Sequence, residues 1–135
     1  MIRLLVVDDS ATLRTIVARI IDSIPGIEVV GECSDGIDVV TTAAEVNPDV
    51  VLMDVSMPVM GGPEATRLLL QTRPAARVLM FSGSQSPEGV NEAADAGAVG
   101  YLVKKGRFDA LDAAIRTVAS GGTAWPDDGM TARTD

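Results

Sequence analysis

The stretch Leu5-Val6-Val7-Asp8-Asp9-Ser10 decides the fold, because in it an apolar run ends abruptly in two carboxylates and a serine. Apolar runs that are separated by helix-like segments are typical of buried parallel strands. Polar residues close further runs of this kind: Asp54 follows residues 50–53, Ser82 follows 78–81 and Lys104 follows 99–103. Because ligands of an open parallel sheet bind beyond the carboxyl ends of its strands, the pattern predicts one edge that carries carboxylates, a hydroxyl and an ammonium.

Strand-like and helix-like segments alternate five times, which predicts an α/β fold with a doubly wound, five-stranded parallel sheet. The segment after Ser10 has the clearest helical pattern, with apolar residues at 13, 16, 17, 20, 21 and 24. The expected strands are 2–7, 28–33, 49–53, 77–81 and 98–103, and the expected helices are 11–24, 36–46, 63–71, 87–97 and 108–120. A domain over residues 1–120 is therefore expected, followed by a tail or truncated linker over residues 121–135.

The composition favours one aliphatic domain in the cytoplasm. The chain has 135 residues, of which 47% are hydrophobic and 3% aromatic, and this length suffices for one core. A net charge of −8 argues against direct binding of nucleic acid, which needs clustered basic residues. The first apolar run is too short for a signal peptide or a membrane span. The single cysteine, Cys33, fits a reducing compartment and is expected to be a small buried hydrophobe.

The carboxylates predicted at one edge suit a hard divalent cation. Asp8, Asp9 and Asp54 would repel one another, and Mg²⁺ would relieve that repulsion while keeping several water ligands. A carboxylate nucleophile at such a site forms an aspartyl phosphate, whose oxygens Lys104 and Ser82 can bind. Each residue alone is more readily a cap or a solvated charge. However, independent caps have no reason to fall at the ends of all the central strands.

Four segments resemble the receiver domain of bacterial response regulators over about residues 1–120. They are Leu5-Val6-Val7-Asp8-Asp9-Ser10, Met53-Asp54-Val55-Ser56-Met57-Pro58-Val59-Met60-Gly61-Gly62, Phe81-Ser82-Gly83 and Gly100-Tyr101-Leu102-Val103-Lys104. The resemblance implies a flavodoxin-like (βα)5 fold with strand order 2-1-3-4-5. It also implies a phosphorylation-activated switch of a two-component system, which catalyses only its own Mg²⁺-dependent phosphorylation and dephosphorylation.

The resemblance also assigns roles in the chemistry of the site. Asp54 matches the phospho-acceptor, and Lys104 matches the lysine of the family pattern. Asp8, Asp9, Asp54 and the backbone carbonyl of Ser56 match the protein ligands of Mg²⁺.

Switching and tuning roles follow from the same resemblance. Ser82 matches the switch hydroxyl and Tyr101 the switch aromatic, although Tyr101 alone would fit a half-buried strand tyrosine with its hydroxyl in water. Ser56 and Ser84 lie two residues beyond the acceptor and the switch hydroxyl. They are expected to flank the path of the hydrolytic water and to tune the lifetime of the phosphoryl group.

The implied partners are a sensor histidine kinase and an output domain or effector protein. The output domain or effector would be controlled through the face formed by helix 4, strand 5 and helix 5. A phosphorylation-dependent homodimer is a further candidate, and no membrane partner is expected. Lys105 stands where many receivers have proline, and Lys104-Lys105-Gly106 resembles the nitrate-response (NarL-type) subfamily. The segment Val7-Asp8-Asp9-Ser10-Ala11 also resembles receivers of chemotaxis methylesterases, so the subfamily is open.

Other site classes fit the sequence less well. A haloacid-dehalogenase-type phosphatase needs a second aspartate two residues after the nucleophile, where this chain has Ser56 after Asp54 and Ser10 after Asp8. A nucleotide-binding module needs a glycine-rich phosphate loop after the first strand, and the sequence has none there. The absence of histidine excludes histidine-based triads and metal clusters. A degenerate, unphosphorylated receiver is a further alternative, against which the complete set of site residues argues.

Overall fold

The computed structural model describes residues 1–105, 108 and 110–126 and contains a five-stranded parallel sheet in the order β2-β1-β3-β4-β5. Helices cover both faces of the sheet, as the doubly wound prediction requires. The strands are β1 (Ile2–Val7), β2 (Ile27–Cys33), β3 (Val50–Met53), β4 (Val78–Ser82) and β5 (Gly100–Val103). The helices are α1 (Ala11–Asp22), α2 (Val39–Val46), α3 (Gly62–Thr72), α4 (Pro87–Ala96) and α5 (Ala110–Ala119).

The central strands are continuous apolar runs because both of their faces are buried. Successive side chains of a strand point to opposite faces. Leu5 and Val7 of β1 accordingly join the core under α2, α3 and α4, whereas Leu4 and Val6 join the core under α1 and α5. Cys33 at the end of β2 is buried, and burial raises the pKa of its thiol, which confirms the prediction of a small buried hydrophobe.

The helix starts follow from capping chemistry. The Oγ atom of Ser10 accepts a hydrogen bond from the N–H of Leu13 at 3.1 Å, and Ser86 caps α4 in the same way. Helix α4 buries only three small or medium side chains, which are Val90, Ala93 and Ala96. We infer that α4 is held less strongly than helices that bury several leucines or isoleucines.

Three local features differ from the sequence-based expectation. Ile16 of α1 is 42% exposed, although its spacing predicted an inward side chain. The second helical segment opens with a 3₁₀ turn, Gly36–Asp38, because the side chain of Asp35 accepts a hydrogen bond from the N–H of Ile37. Phe108 has a φ of 59° and therefore precedes α5 instead of starting it.

Part of the predicted tail is attached to the sheet. The N–H of Ala124 donates to the carbonyl of Val99 at 2.9 Å, and the N–H of Tyr101 donates to the carbonyl of Ala124 at 3.0 Å. Trp125 packs against the same core cluster as Tyr101. These contacts extend the sheet by one parallel bridge beside β5. The prediction for residues 127–135 lies outside the described residues.

Among the residues that the structure describes, no helix is both long and apolar enough to cross a membrane.

Candidate functional site

The backbone of the sheet brings the predicted site residues to one edge. Asp8 and Asp54 directly follow β1 and β3, Ser82 is the last residue of β4, and Lys104 directly follows β5. The N–H of Asp54 donates to the carbonyl of Val7 at 2.9 Å, and the N–H of Lys104 donates to the carbonyl of Ser82 at 2.6 Å. These bonds hold neighbouring strand ends together, so side chains that are far apart in sequence meet.

The acidic residues form a compact group of oxygen donors. Asp8, Asp9 and Asp54 each offer one carboxylate oxygen, and these oxygens lie within 4.8 Å of one another. Asp8 and Asp54 are buried, whereas Asp9 is exposed. A mixed buried and exposed set of carboxylates fits Mg²⁺, which binds to few protein oxygens and keeps several waters. The residues present therefore fit the cation that the sequence predicts.

Lys104 lies between two of these carboxylates. Its Nζ atom is 2.7 Å from Oδ2 of Asp8 and 3.3 Å from Oδ1 of Asp54. The ammonium also lies 5.8 Å from the ring centroid of Phe81, within the range of a cation–π contact. Lys104 is therefore a positive charge held between two buried carboxylates, with only 15% of its side chain exposed.

The site carries excess negative charge. Burial raises the pKa of Asp54 above its usual range, and the charge of Asp8 raises it further, while the nearby Lys104 ammonium lowers it. The net shift is upward because burial outweighs the attraction of the ammonium. Independently of this shift, the group sets three carboxylates against the ammonium of Lys104. A divalent cation would supply the missing positive charge.

Ser82, Ser84 and Tyr101 form a second group beside the carboxylates. The Oγ atom of Ser82 accepts a hydrogen bond from the N–H of Ser84 at 3.3 Å, and the hydroxyl of Tyr101 donates to the carbonyl of Ser84 at 2.8 Å. Tyr101 is only 3% exposed, so the alternative of a half-buried tyrosine with its hydroxyl in water is wrong. The switch role implies that the ring of Tyr101 rotates into space that Ser82 vacates, but in this structure the ring is already buried.

The β3–α3 loop, residues 54–61, carries the exposed Ser56 next to the acidic group. The N–H of Gly62 donates to the carbonyl of Val55 at 2.8 Å and closes this loop at its base. A Cβ atom at Gly62 would lie 2.5 Å from the carbonyl oxygen of Asp54, so the close turn requires glycine. No cis peptide bond occurs in the described part of the chain, and the bond between Lys104 and Lys105 is therefore trans.

Sequence reasoning missed one acidic residue near the site. Asp35 is buried, and its carboxylate accepts hydrogen bonds from the backbone N–H groups of Ile37, Val59 and Met60. The available signal was its position, because Asp35 is the second residue after β2, as Asp9 is the second residue after β1.

Comparison with known proteins shows which protein family and which individual proteins this chain is similar to. The family described as "Response regulator receiver domain" matches residues 4–116. Response regulator GacA of Pseudomonas aeruginosa is 41% identical over 121 residues, which cover 90% of this chain and 56% of that protein. A protein-glutamate methylesterase/protein-glutamine glutaminase of Thermotoga maritima is 45% identical over 106 residues, which cover 76% of this chain and 30% of that protein.

The fold comparison agrees with the sequence comparison. The crystal structure of a LuxR-family two-component response regulator from Aurantimonas sp. SI85-9A1 superposes with a TM-score of 0.90 at 34% identity. The match covers 98% of each chain. By contrast, the chain spans about half the length of GacA and about a third of the methylesterase.

Proposed function

Because the chain belongs to the receiver-domain family of two-component response regulators, we propose that Asp54 is its phospho-acceptor and that the switch depends on Mg²⁺. One observation carries this assignment. Asp54 belongs to the acidic metal group and lies 3.3 Å from the ammonium of Lys104, whereas both oxygens of Asp8, the other carboxylate beside Lys104, already accept from Lys104 and from the N–H of Ser10. As soon as an aspartyl phosphate formed there, a bound cation and Lys104 would lie beside its oxygens.

The proposed reaction is an in-line displacement at phosphorus. A carboxylate oxygen of Asp54 forms the new bond, the bond from phosphorus to the donor nitrogen or oxygen breaks, and the leaving group keeps the electron pair. Asp54 must be ionised to attack. Burial opposes ionisation, while Lys104 favours it. The ammonium thus favours the charged form of the nucleophile and would then bind the phosphoryl oxygens that arrive beside it.

The proposed cation ligands are carboxylate oxygens of Asp8, Asp9 and Asp54 together with the backbone carbonyl of Ser56. When bound, Mg²⁺ supplies positive charge to the transferring phosphoryl group. The chain's own contribution is to hold its donors close together before the cation arrives. Asp8 is fixed by the N–H of Ser10 at 2.9 Å and by Lys104 at 2.7 Å. Because these donors are already ordered, less entropy is lost on binding.

The proposed switch runs from Ser82 to the α4–β5–α5 face. A phosphoryl group on Asp54 brings nearly two negative charges, and the hydroxyl of Ser82 can turn to donate to it. Ser82 then no longer accepts from Ser84, whose carbonyl is the partner of Tyr101. Because Tyr101 is already buried, the expected change is a shift of the β4–α4 loop (residues 83–86) and of α4, not an inward rotation of the ring.

The proposed partners are those of a receiver that spans only about half the length of its relative GacA. A sensor histidine kinase would donate the phosphoryl group, since this chain contains no histidine of its own. Residues 1–120 would form the receiver, and residues 121–126 would begin a connection to an output domain or effector. A phosphorylation-dependent homodimer and a cytoplasmic location are part of the same proposal. The chain would catalyse only its own phosphorylation and dephosphorylation, because Ser56 and Ser10 lack the second carboxylate of a phosphatase.

The experiment is intact-mass analysis after incubation with acetyl phosphate and Mg²⁺. We expect one added phosphate on the wild type and none on Asp54→Asn, which cannot form the acyl phosphate. Asp49→Asn is a matched control, because Asp49 is an exposed carboxylate that directly precedes the other end of β3. Equal labelling of wild type and Asp54→Asn would disprove the assignment of the acceptor.

A further inference from the structure

Asp35 is a buried carboxylate that lies outside the acidic metal group. It is 7% exposed, and it follows β2 and precedes the 3₁₀ turn. Its Oδ1 atom accepts from the N–H groups of Ile37 at 3.0 Å and Met60 at 2.9 Å, and its Oδ2 atom accepts from the N–H of Val59 at 2.9 Å. Burial opposes its charge, but these backbone hydrogen bonds prevail and lower the pKa of Asp35 below its usual value. The side chain is therefore held as an anion among backbone donors.

The bonds of Asp35 bridge two segments that are distant in sequence. Val59 and Met60 belong to the β3–α3 loop and lie 24 and 25 residues away from Asp35 along the chain. The adjacent Gly36 reinforces the bridge, because its N–H donates to the carbonyl of Met60 at 3.2 Å. A Cβ atom at Gly36 would lie 2.5 Å from that carbonyl oxygen, so the two backbones are in close contact. Together Asp35 and Gly36 form a clamp on the outer half of the loop.

The clamp acts on the loop that begins at the phospho-acceptor. The inner half of this loop contains Asp54 and Ser56, and its base is closed by the bond between Val55 and Gly62. Ser56 itself is exposed. The conformation of the backbone at Ser56 therefore depends on how firmly both ends of the loop are fixed. Charge-assisted hydrogen bonds to backbone N–H groups are stronger than neutral ones, which makes Asp35 the strongest fixing point of the outer half.

We propose that Asp35 is a positioning residue for the phosphorylation site, which holds the β3–α3 loop in its binding conformation before Mg²⁺ arrives. The inference rests on the proposed function of the acidic group. Without the clamp, the loop would have to be ordered when the cation binds, and the entropy cost would reduce affinity. Asp35 would thus tune cation binding without touching the cation.

The test compares Asp35→Ala with a matched control, Asp38→Asn. Asp38 lies three residues further along the chain, is exposed and makes no side-chain capping bond. Binding of Mg²⁺ is followed by amide chemical shifts, and loop order is followed by hydrogen exchange of Val59 and Met60 in chelator. For Asp35→Ala we expect faster exchange at both amides and a Kd for Mg²⁺ raised about tenfold, which corresponds to about 1.4 kcal/mol. The control should match the wild type in both.

The conservative variant Asp35→Asn gives a graded second test and is the variant more certain to fold. One amide oxygen can still accept from Ile37 and Met60, but the amide nitrogen cannot accept from Val59. We expect faster exchange at Val59 with little change at Met60, and a Kd between those of wild type and Asp35→Ala. A residue that only stabilises the fold would lower the unfolding midpoint and leave the Kd of the folded protein unchanged.

The outcomes separate this proposal from the proposed function. An unchanged Kd in Asp35→Asn and Asp35→Ala, or an equal rise in Asp38→Asn, would overturn the positioning role. At saturating Mg²⁺, Asp35→Ala should still be labelled at Asp54 by acetyl phosphate. If the wild type failed to accept phosphate, the proposed function would fall, while the Mg²⁺ titrations would still decide whether Asp35 positions the loop.

Discussion

The β3–α3 loop and the β4–α4 loop both follow a buried strand that delivers a site residue, but they are held in different ways. The first is fixed at its base by the bond between Val55 and Gly62 and at its outer half by the carboxylate of Asp35. The second consists of exposed residues 83–86, and the hydroxyl of Tyr101 donates to the carbonyl of its Ser84 from another strand at 2.8 Å. The difference fits the two proposed tasks, because the chemistry proposed at Asp54 would need fixed geometry and the switch proposed at Ser82 would need a loop that moves.

The largest expected difference concerns two glycines, Gly62 at the point where the β3–α3 loop enters α3 and Gly83 in the β4–α4 loop. Gly62→Ala would place a Cβ atom 2.5 Å from the carbonyl oxygen of Asp54, and we expect a loss of about 2 kcal/mol in the free energy of unfolding. Gly83→Ala would meet no atom within 4 Å, and we expect a change below about 1 kcal/mol, towards higher stability. Urea unfolding measures both. Equal losses would show that the β4–α4 loop is as tightly packed as the β3–α3 loop.

The second difference concerns the two serines proposed to flank the path of water. Ser56→Leu places a bulky side chain on the fixed loop, and we expect dephosphorylation to slow about tenfold, which corresponds to a barrier raised by about 1.4 kcal/mol. Ser84→Leu places the same side chain on the loop that can move aside, so the effect should be clearly smaller. The decay of phosphate is followed by intact mass, with Ser120→Leu as a control on an exposed serine of the C-terminal part of the chain. Identical decay in all variants would exclude control of water by either serine.

The sequence predicted the features that follow from a local alternation or run of apolar and polar residues. Strand β1 was predicted with its observed bounds, and Asp8, Asp54, Ser82 and Lys104 were predicted at one edge because parallel strands share their carboxyl ends. The clamp of Asp35 was not predictable in this way, since its partners lie 24 and 25 residues away in a segment without a regular pattern.

Two other features also depend on tertiary packing. The inward position of Tyr101 is set by the carbonyl of Ser84, which lies 17 residues away along the chain. The bridge of Ala124 to β5 involves a short segment without alternation, from which no strand could be predicted. Strand periodicity therefore located the residues of the site, but it could not indicate which neighbouring loops hold them in place.

The third prediction tests a hydrogen bond between β5 and the β4–α4 loop. Tyr101→Phe removes the hydroxyl that donates to Ser84, at a cost of about 1 kcal/mol in the free energy of unfolding. We expect faster hydrogen exchange in the β4–α4 loop and in the first turn of α4, with no change in the β3–α3 loop.

In the wild type, beryllofluoride with Mg²⁺ should change amide shifts most strongly over residues 82–105. Changes confined to residues 54–62 would contradict a switch through β4 and α4.

The smallest expected effect is optical and depends on Trp125, the one tryptophan of the sequence. Its neighbour Ala124 accepts the N–H of Tyr101 at 3.0 Å, and Trp125 packs against the same core cluster as that tyrosine. A shift of the β4–α4 loop that changes the surroundings of Tyr101 should therefore reach Trp125 through one hydrogen bond and shared packing. We expect a small change in tryptophan emission when beryllofluoride and Mg²⁺ are added, a weaker change in Tyr101→Phe and none in Asp54→Asn.

The β3–α3 loop makes no such backbone bond to residues 122–126 in the described part of the chain. Asp35→Asn should accordingly raise the concentration of Mg²⁺ needed for the emission change but leave its final size the same. A reduced final size in Asp35→Asn would mean that the two loops are not separate, and that fixing one also sets the position of the other.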